Sequence, residues 1–340
     1  MIRESLYSGE RILVLIGEKS PAWTPAFLRA FTDDSPKTLS PQETSLTGIG
    51  WLTSKSKGGT VLDGKPVTLY GSLDITEECR LDTAYKQSGE SSTNDVFPLR
   101  FTLSPEAFYQ VNTRQANTLY QEALKACALT SAQVVWDLYC GAGTLSLCLA
   151  SRAAAVLGID ANAAAIRDAW INARRNDTVH HTAVDGADGG SAPVNDASSA
   201  LTLSDRLCFL AGLAEDTAPY IAGNPGFLAG SLARQQKLYA DAQAKSRPPS
   251  EAPLRLLDGK PPDIVVLDPA SKGAKPAVLQ AILDVKPQRI VYVSCDPATL
   301  SRDLQLLAAQ GLYSIEYIQP VDMFPQTAHL ESVTLLQKRK

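Results

Sequence analysis

The stretch Val134 to Ala150, VVWDLYCGAGTLSLCLA, runs from an apolar segment through Asp137 to Gly141-Ala142-Gly143 and then into a helix-like apolar pattern. Strand, glycine turn and helix open a nucleotide-binding α/β sheet. Glycine allows the tight turn and the close approach of backbone to ligand, and the helix N-terminus presents free N–H groups. The third glycine of the dinucleotide fingerprint is absent, and Ser146 stands in its place. Asp160 ends the next apolar segment, 19 positions after Gly141. An acid at that point accepts hydrogen bonds from a ribose diol.

Other reactive groups end later strands. Asp268-Pro269 closes an apolar run at 263–268, and Cys295-Asp296-Pro297 closes another at 290–295. Ligands bind outside the carboxyl ends of such strands, so both groups are expected at the crevice that holds Gly141. A cysteine inside an apolar strand is usually a small hydrophobe, and Cys140 and Cys148 are read that way. Cys295 differs because it sits at a strand end, just before a helix. A helix N-terminus lowers a thiol's pKa and raises its reactive thiolate fraction. Glu331 begins the last strand, after the loop Met323 to Leu330, where a carboxylate could act as a base. On spacing alone, a surface glutamate is the favoured reading.

The elements that must carry these groups follow from patterning. Residues 1 to about 100 read as β-rich, with strands at Arg11–Ile16, Gly48–Leu52, Val67–Tyr70 and Phe97–Leu103, and a polar, exposed stretch from Arg80 to Asn94. Ser104-Pro105-Glu106 is expected to start a helix, and Asn112 to Leu129 to form an amphipathic one. From 134 onward strands and helices alternate. Strands are expected at 156–160, 207–212, 263–268 and 290–295, helices at 163–176, 276–284 and 298–309, and a closing strand pair at 313–321 and 332–337. That order gives a parallel sheet covered on both faces, with a terminal hairpin. Two stretches interrupt it, near 185–199 and 223–255. Their composition marks them as loop insertions, the second with a short helix near Leu232 to Ala244.

Composition narrows the class. The chain has 340 residues, 44% hydrophobic and 20% charged, ordinary for a globular protein. No apolar run reaches the length of a membrane span, and the N-terminus does not read as a secretory signal, so an intracellular and cytoplasmic protein is expected. The six cysteines include no Cys-x-x-Cys pair and the three histidines no cluster, so no metal site is signalled. A net charge of −4 argues against coating nucleic acid by bulk charge. Lys55, Lys57 and Lys65, and the closing Lys338-Arg339-Lys340, read as solvated faces.

FTLSPEAFYQVNTRQANTLY, DLYCGAGTLSLCLA, VVLDPASKG, VYVSCDPATLSRDL and HLESVTLL occur in that order. Together they resemble the RNA uracil-5-methyltransferase family, S-adenosylmethionine-dependent enzymes acting on tRNA or rRNA. The resemblance covers about residue 97 to the C-terminus apart from the two insertions, and YVSCDPATLSRD and HLES are its most specific parts. It implies a Rossmann-like methyltransferase domain at 97–340, doubly wound and mostly parallel with a terminal antiparallel hairpin. Residues 1–96 resemble, weakly, part of that family's central β-rich domain. The N-terminal RNA-binding barrel of many members has no counterpart, nor does the iron–sulfur cysteine cluster of some.

By resemblance, Gln110 contacts the cofactor, Tyr139 and the turn Gly141, Gly143 and Thr144 form its loop, Asp160 binds its ribose, and Asp268 is the acid of the fourth strand. Cys295 corresponds to the nucleophile and Glu331 to the base. One departure stands out: the family's Asp-Pro-Pro-Arg reads Asp268-Pro269-Ala270-Ser271 here, with Lys272 adjacent. The implied function is methyl transfer to carbon 5 of a uridine in structured RNA through a covalent cysteine adduct, with an auxiliary RNA-docking protein to make up for the missing barrel. Two rivals differ from it. A drifted, non-catalytic RNA- or cofactor-binding member is favoured by the lost arginine and opposed by retained Cys295 and Glu331. A nicotinamide-dependent oxidoreductase is opposed by the absent third glycine.

Overall fold

A computed structural model describes residues 1–20, 23–32, 45–54, 65–82, 96–177, 202–243 and 252–340. The N-terminal part contains β1 (Ile2–Glu4), β2 (Glu10–Gly17), α1 (Pro25–Thr32), β3 (Ser45–Thr53) and β4 (Val67–Gly71), whose strands form a four-stranded sheet in sequence order. An antiparallel pair follows, β5 (Ile75–Asp82) with β6 (Val96–Leu103). The expected boundary between residues 96 and 97 thus falls inside β6, whose partner β5 lies upstream.

Next come α2 (Thr113–Cys127), β7 (Val134–Leu138), α3 (Thr144–Ala150), β8 (Ala155–Asp160), α4 (Ala163–Arg175), β9 (Leu207–Ala211) and α5 (Ala214–Ile221). After α6 (Phe227–Gln243) and α7 (Ala252–Leu257) the chain continues as β10 (Ile264–Leu267), α8 (Pro276–Val285), β11 (Arg289–Ser294), α9 (Pro297–Ala308), β12 (Tyr313–Val321) and β13 (Glu331–Lys338). The seven-stranded sheet has the order β12-β13-β11-β10-β7-β8-β9. β7 to β11 are parallel, and β13 inserts antiparallel between β11 and β12. The expected doubly wound sheet with a terminal hairpin is borne out.

Strand alternation divides the core into two layers. In β7, Val135 points to the side of Leu147, Cys148 and Ile166, while Trp136 and Leu138 point to the side of Leu279, Ile282 and Leu304. The first layer also takes in Ile12, Cys79, Leu99 and Phe101, so the N-terminal strands share a core with the large sheet. The order reverses between β7 and β10, and the crevice opens there, above the carboxyl ends of the strands.

The free edge of β6 is satisfied by side chains of α4 and of Asn176, the residue that caps its C-terminus. The Thr102 amide donates to Asn172 Oδ1 at 2.6 Å, and the Arg100 amide to Asn176 Oδ1 at 2.9 Å. Asn176 Nδ2 returns a bond to the Arg100 carbonyl at 2.8 Å. Buried backbone groups need such partners, and asparagine offers both donor and acceptor.

Several expectations are corrected. No helix starts at Ser104-Pro105-Glu106; the chain turns there, and the helix begins at Thr113. The Ser104 amide and hydroxyl both donate to Asp168, while Arg3 donates to the Ser104 and Ala107 carbonyls. These bonds hold a single turn, closed by the Ala107 amide on the Ser104 carbonyl at 3.1 Å, that does not continue as a helix. Instead Asn112 caps α2, its Oδ1 accepting from the Gln115 amide at 3.3 Å. Arg80 to Asp82, expected in a polar loop, end β5. In the segment 223–255, the expected short helix near Leu232 to Ala244 is the longer α6, and α7 starts at Ala252. Leu228 within the segment is fully buried, so this part packs on the fold and is not a bare loop. Apolar residues spaced along that Ala- and Gln-rich stretch were enough to anchor it. The insertion at 185–199, and Lys55 and Lys57, lie outside the described residues.

Candidate active site

β7 delivers the chain to the turn. The Tyr139 and Cys140 amides both donate to the Ile159 carbonyl, at 2.8 and 3.1 Å, which swings the backbone out of the strand. Tyr139 takes φ 69°, Gly141 54° and Gly143 78°, all left-handed. The two glycines differ. A Cβ on Gly143 would lie 2.9 Å from both Ala169 Cβ and Phe209 Cζ, so glycine is needed there for packing. A Cβ on Gly141 would meet nothing within 4 Å, so the space before it is open for a ligand. Thr144 begins α3, and its hydroxyl is 3.2 Å from the Tyr120 hydroxyl.

Asp160 closes β8 beside this turn. Its Oδ2 accepts from the Gly141 amide at 2.9 Å and its Oδ1 from the Asn162 amide at 2.7 Å. Burial raises its pKa, and those two amides oppose the rise. Asn162 in turn caps α4 through the Ala164 and Ala165 amides. Asn172 Nδ2 donates to the Ala142 carbonyl at 3.2 Å, tying the turn to the α4–β6 seam. Gln110, on the loop between β6 and α2, is buried, and its Oε1 has no hydrogen-bond partner among the described residues.

On the other side of the switch point stand the thiol and two acids. Asp268 is half-buried at the end of β10, and its amide donates to the Leu138 carbonyl at 3.2 Å. Cys295 follows β11 and is half-buried, whereas the other five cysteines, all free, are buried. Glu331 starts β13, one residue beyond the Ser294–Ser332 pair that closes the β11–β13 ladder. Its carboxyl is buried, and its Oε2 has no partner among the described residues.

The electrostatics overturn one expectation. Cys295 precedes α9, yet its thiol pKa is raised, first by burial and then by Glu331 and Asp268. Burial is the main cause, and the helix N-terminus after Cys295 is capped by Asp296, whose Oδ1 accepts from the Thr299 amide at 2.8 Å. Burial pushes Glu331 up to about 6. Asp268 is raised well above the carboxylate range by burial, then by Glu331 and Asp137. Asp137, to which the sequence reading gave no role, is held up at about 7 by burial, and its Oδ2 accepts from the Ser146 hydroxyl at 2.5 Å. A lone acid inside an apolar strand was the available signal. The site therefore crowds carboxyl groups whose ionisation is suppressed, a setting that favours a cation.

The loop that departs from the family pattern is braced by α9. The Thr299 hydroxyl donates to the Ser271 carbonyl at 3.1 Å, and Arg302 Nη2 to the Lys272 carbonyl at 3.0 Å. The Ala274 amide donates to Asp303 Oδ2, which also takes the Tyr292 hydroxyl at 2.6 Å. The loop before Glu331 is fixed from the other flank, because Asn112 Nδ2 donates to the Met323 carbonyl at 3.1 Å. Asn112 thus joins the Gln110 loop to the Glu331 loop, and nothing in the sequence pattern signalled the link. From the second insertion, Gln235 bonds both the amide and the carbonyl of Ala211, at 2.9 and 2.5 Å.

Residues 255–339 match the family model described as tRNA (uracil-5-)-methyltransferase. An uncharacterised RNA methyltransferase of Enterococcus faecalis is 35% identical over 257 residues, 76% of this chain and 43% of that protein. Another, from Listeria monocytogenes, is 32% identical over 295 residues, 87% of this chain and 48% of that protein. The chain thus spans a little under half the length of these relatives. Among solved structures, the tRNA (uracil-54, C5)-methyltransferase of Pyrococcus abyssi, in complex with S-adenosyl-L-homocysteine, superposes with a TM-score of 0.58 at 22% identity. It covers 98% of this chain and 58% of that one, and it shows a shared fold. The resemblance to RNA uracil-5-methyltransferases expected from the sequence is borne out by the family match and the relatives.

Proposed function

We propose, from this chain's kinship with the RNA uracil-5-methyltransferase family, that it methylates carbon 5 of a uridine in tRNA or rRNA, using S-adenosylmethionine and a covalent cysteine adduct. The observation that carries the reading is the meeting of Cys295 and Glu331 at the β11–β13 seam, with Asp268 beside them.

The residues present fit the cofactor. The open space before Gly141 admits a ligand close to backbone, Asp160 offers a carboxylate for a ribose diol, and the unpartnered Gln110 Oε1 awaits a donor. The carboxyls of Asp268 and Glu331 at the crevice suit a positively charged group. When bound, S-adenosylmethionine supplies an activated methyl group on a sulfonium.

Carbon 5 of uracil is too weak a nucleophile by itself. The Cys295 thiolate adds to carbon 6, the electrons of the C5–C6 double bond move toward the carbonyl oxygen, and carbon 5 becomes enolate-like. After methylation, Glu331 removes the carbon-5 proton, and the returning electrons expel the thiolate. A group titrating near 6 can accept that proton at neutral pH and release it to water. The target base must leave its stack to enter the crevice, which single-stranded loops of RNA allow.

The test is nucleoside mass spectrometry after incubating tRNA and rRNA with the protein and methyl-labelled cofactor. Labelled 5-methyluridine is expected. Label on another position or another base would overturn the reading.

A further inference from the structure

The β5–β6 hairpin has an outward face of unusual chemistry. The register sets Glu78 opposite Arg100, Arg80 opposite Pro98, and Thr76 opposite Thr102. Cys79, Leu81, Leu99, Phe101 and Leu103 alternate with these and fill the core, so the polar set faces away from it.

Glu78 is the centre of the arrangement. Its side chain is only 5% exposed, and it accepts from Arg80 Nε at 2.8 Å and from Arg100 Nε at 3.2 Å. The arginine side chains themselves are 67% and 55% exposed. Arg100 also lies over the Tyr7 ring, 5.8 Å from its centre. Beside them, Arg175 from the end of α4 donates to the Thr102 hydroxyl at 2.5 Å. Glu10 stands at the Thr76 end of the face, engaged by the Thr76 amide and the Ser8 hydroxyl.

One arginine fork satisfies a carboxylate. Here two arginines each give Glu78 a single Nε, and the Nη groups of both meet no hydrogen-bond partner among the described residues. An ordinary solvated arginine is mobile, whereas these are anchored by a carboxylate that burial makes costly to leave unpaired. The result is fixed guanidinium groups aimed at solvent, on a chain whose net charge is −4. Planar forks held in that way match phosphate oxygens.

We propose that Arg80 and Arg100, held by Glu78 and flanked by Arg175, form a docking surface for the sugar–phosphate backbone of the RNA substrate. This rests on the proposed function. β6 leads from the surface toward the crevice. Gln110 lies ten positions after Arg100, at most ~35 Å of extended chain. On this proposal the bound RNA runs from the hairpin toward the crevice at Cys295.

The test is binding of tRNA and rRNA fragments by fluorescence anisotropy across a salt series. It compares the wild type with the double variant Arg80→Gln/Arg100→Gln. Each neutralised phosphate contributes roughly 0.7–0.9 to the log–log salt slope, so the double variant should lower the slope by about 2 and weaken binding at least about tenfold at 0.1 M salt. Affinity for S-adenosylhomocysteine should not change. If the double variant fails to fold, each single variant should lower the slope by about 1. The docking surface is overturned if affinity and slope match the wild type, or if only heparin binding is lost. If the wild type binds no RNA, the proposed function falls with it. If the wild type methylates RNA and the variants bind it equally well, only the docking surface falls.

Discussion

Cys295 and Glu331 stand side by side, each one residue beyond the Ser294–Ser332 pair of the β11–β13 ladder, and the carboxyl raises the pKa of the thiol. The base that is to release the adduct thus also governs the nucleophile. Replacing Glu331 with Gln removes that charge and should shift the alkylation of Cys295 by iodoacetamide to lower pH. The other five cysteines are buried, so alkylation of the native protein reports on Cys295. A midpoint that stays put or rises would show that the two groups do not interact.

The same carboxyl has a consequence for stability. Glu331 is held at about 6 in the fold, against 4.5 for the free side chain, so the folded state binds its proton more tightly than the unfolded state. Its favourable contribution is complete below pH 4.5 and is lost as the pH rises through about 6. The loss is up to about 2 kcal/mol. Denaturant unfolding should therefore find Glu331→Gln more stable than wild type by up to that amount at pH 7.5, with the gap closing toward pH 4.5. A gap that widens on acidification has the wrong sign.

Gly141 and Gly143 should respond differently to alanine. Gly143→Ala combines left-handed strain with a clash against Ala169 and Phe209. It should cost ~2–4 kcal/mol of stability. Gly141→Ala meets no neighbour, so it should cost only about 1–2 kcal/mol while abolishing S-adenosylhomocysteine binding in calorimetry. Normal binding by Gly141→Ala would place the cofactor elsewhere.

The sheet was legible because alternating apolar runs and glycine turns are local signals. β7 through β13 fall within a residue or two of their expected limits. The reactive groups were legible for a related reason, since strand ends face the crevice whatever the loops do. What stayed hidden depends on distant partners. Ser104 reads as a helix start until Asp168 and Arg3 are placed beside it. Cys295 reads as an activated thiol until Glu331 and Asp268 surround it. Asn112 reads as a helix cap, which it is, but its bond to the Met323 carbonyl spans 211 residues.

The second insertion was misjudged for its composition. Leu228 is fully buried against the large sheet, and Gln235 secures Ala211 at the end of β9. Leu228→Ala should therefore destabilise the protein by ~2–5 kcal/mol in thermal or denaturant unfolding. No change would mean that α6 does not pack as described.

The central claim is that the Cys295 thiolate adds to carbon 6 of the target uracil. The direct measurement is denaturing electrophoresis of protein incubated with labelled RNA and S-adenosylmethionine, with wild type, Cys295→Ala and Glu331→Gln run side by side. Wild type should be trapped by RNA carrying 5-fluorouridine, because the fluorine on carbon 5 cannot leave as a proton. Glu331→Gln should accumulate a methylated, covalently linked species on ordinary RNA, and Cys295→Ala should form no adduct with either. A Cys295→Ala protein that still methylates uridine at carbon 5 would contradict the mechanism.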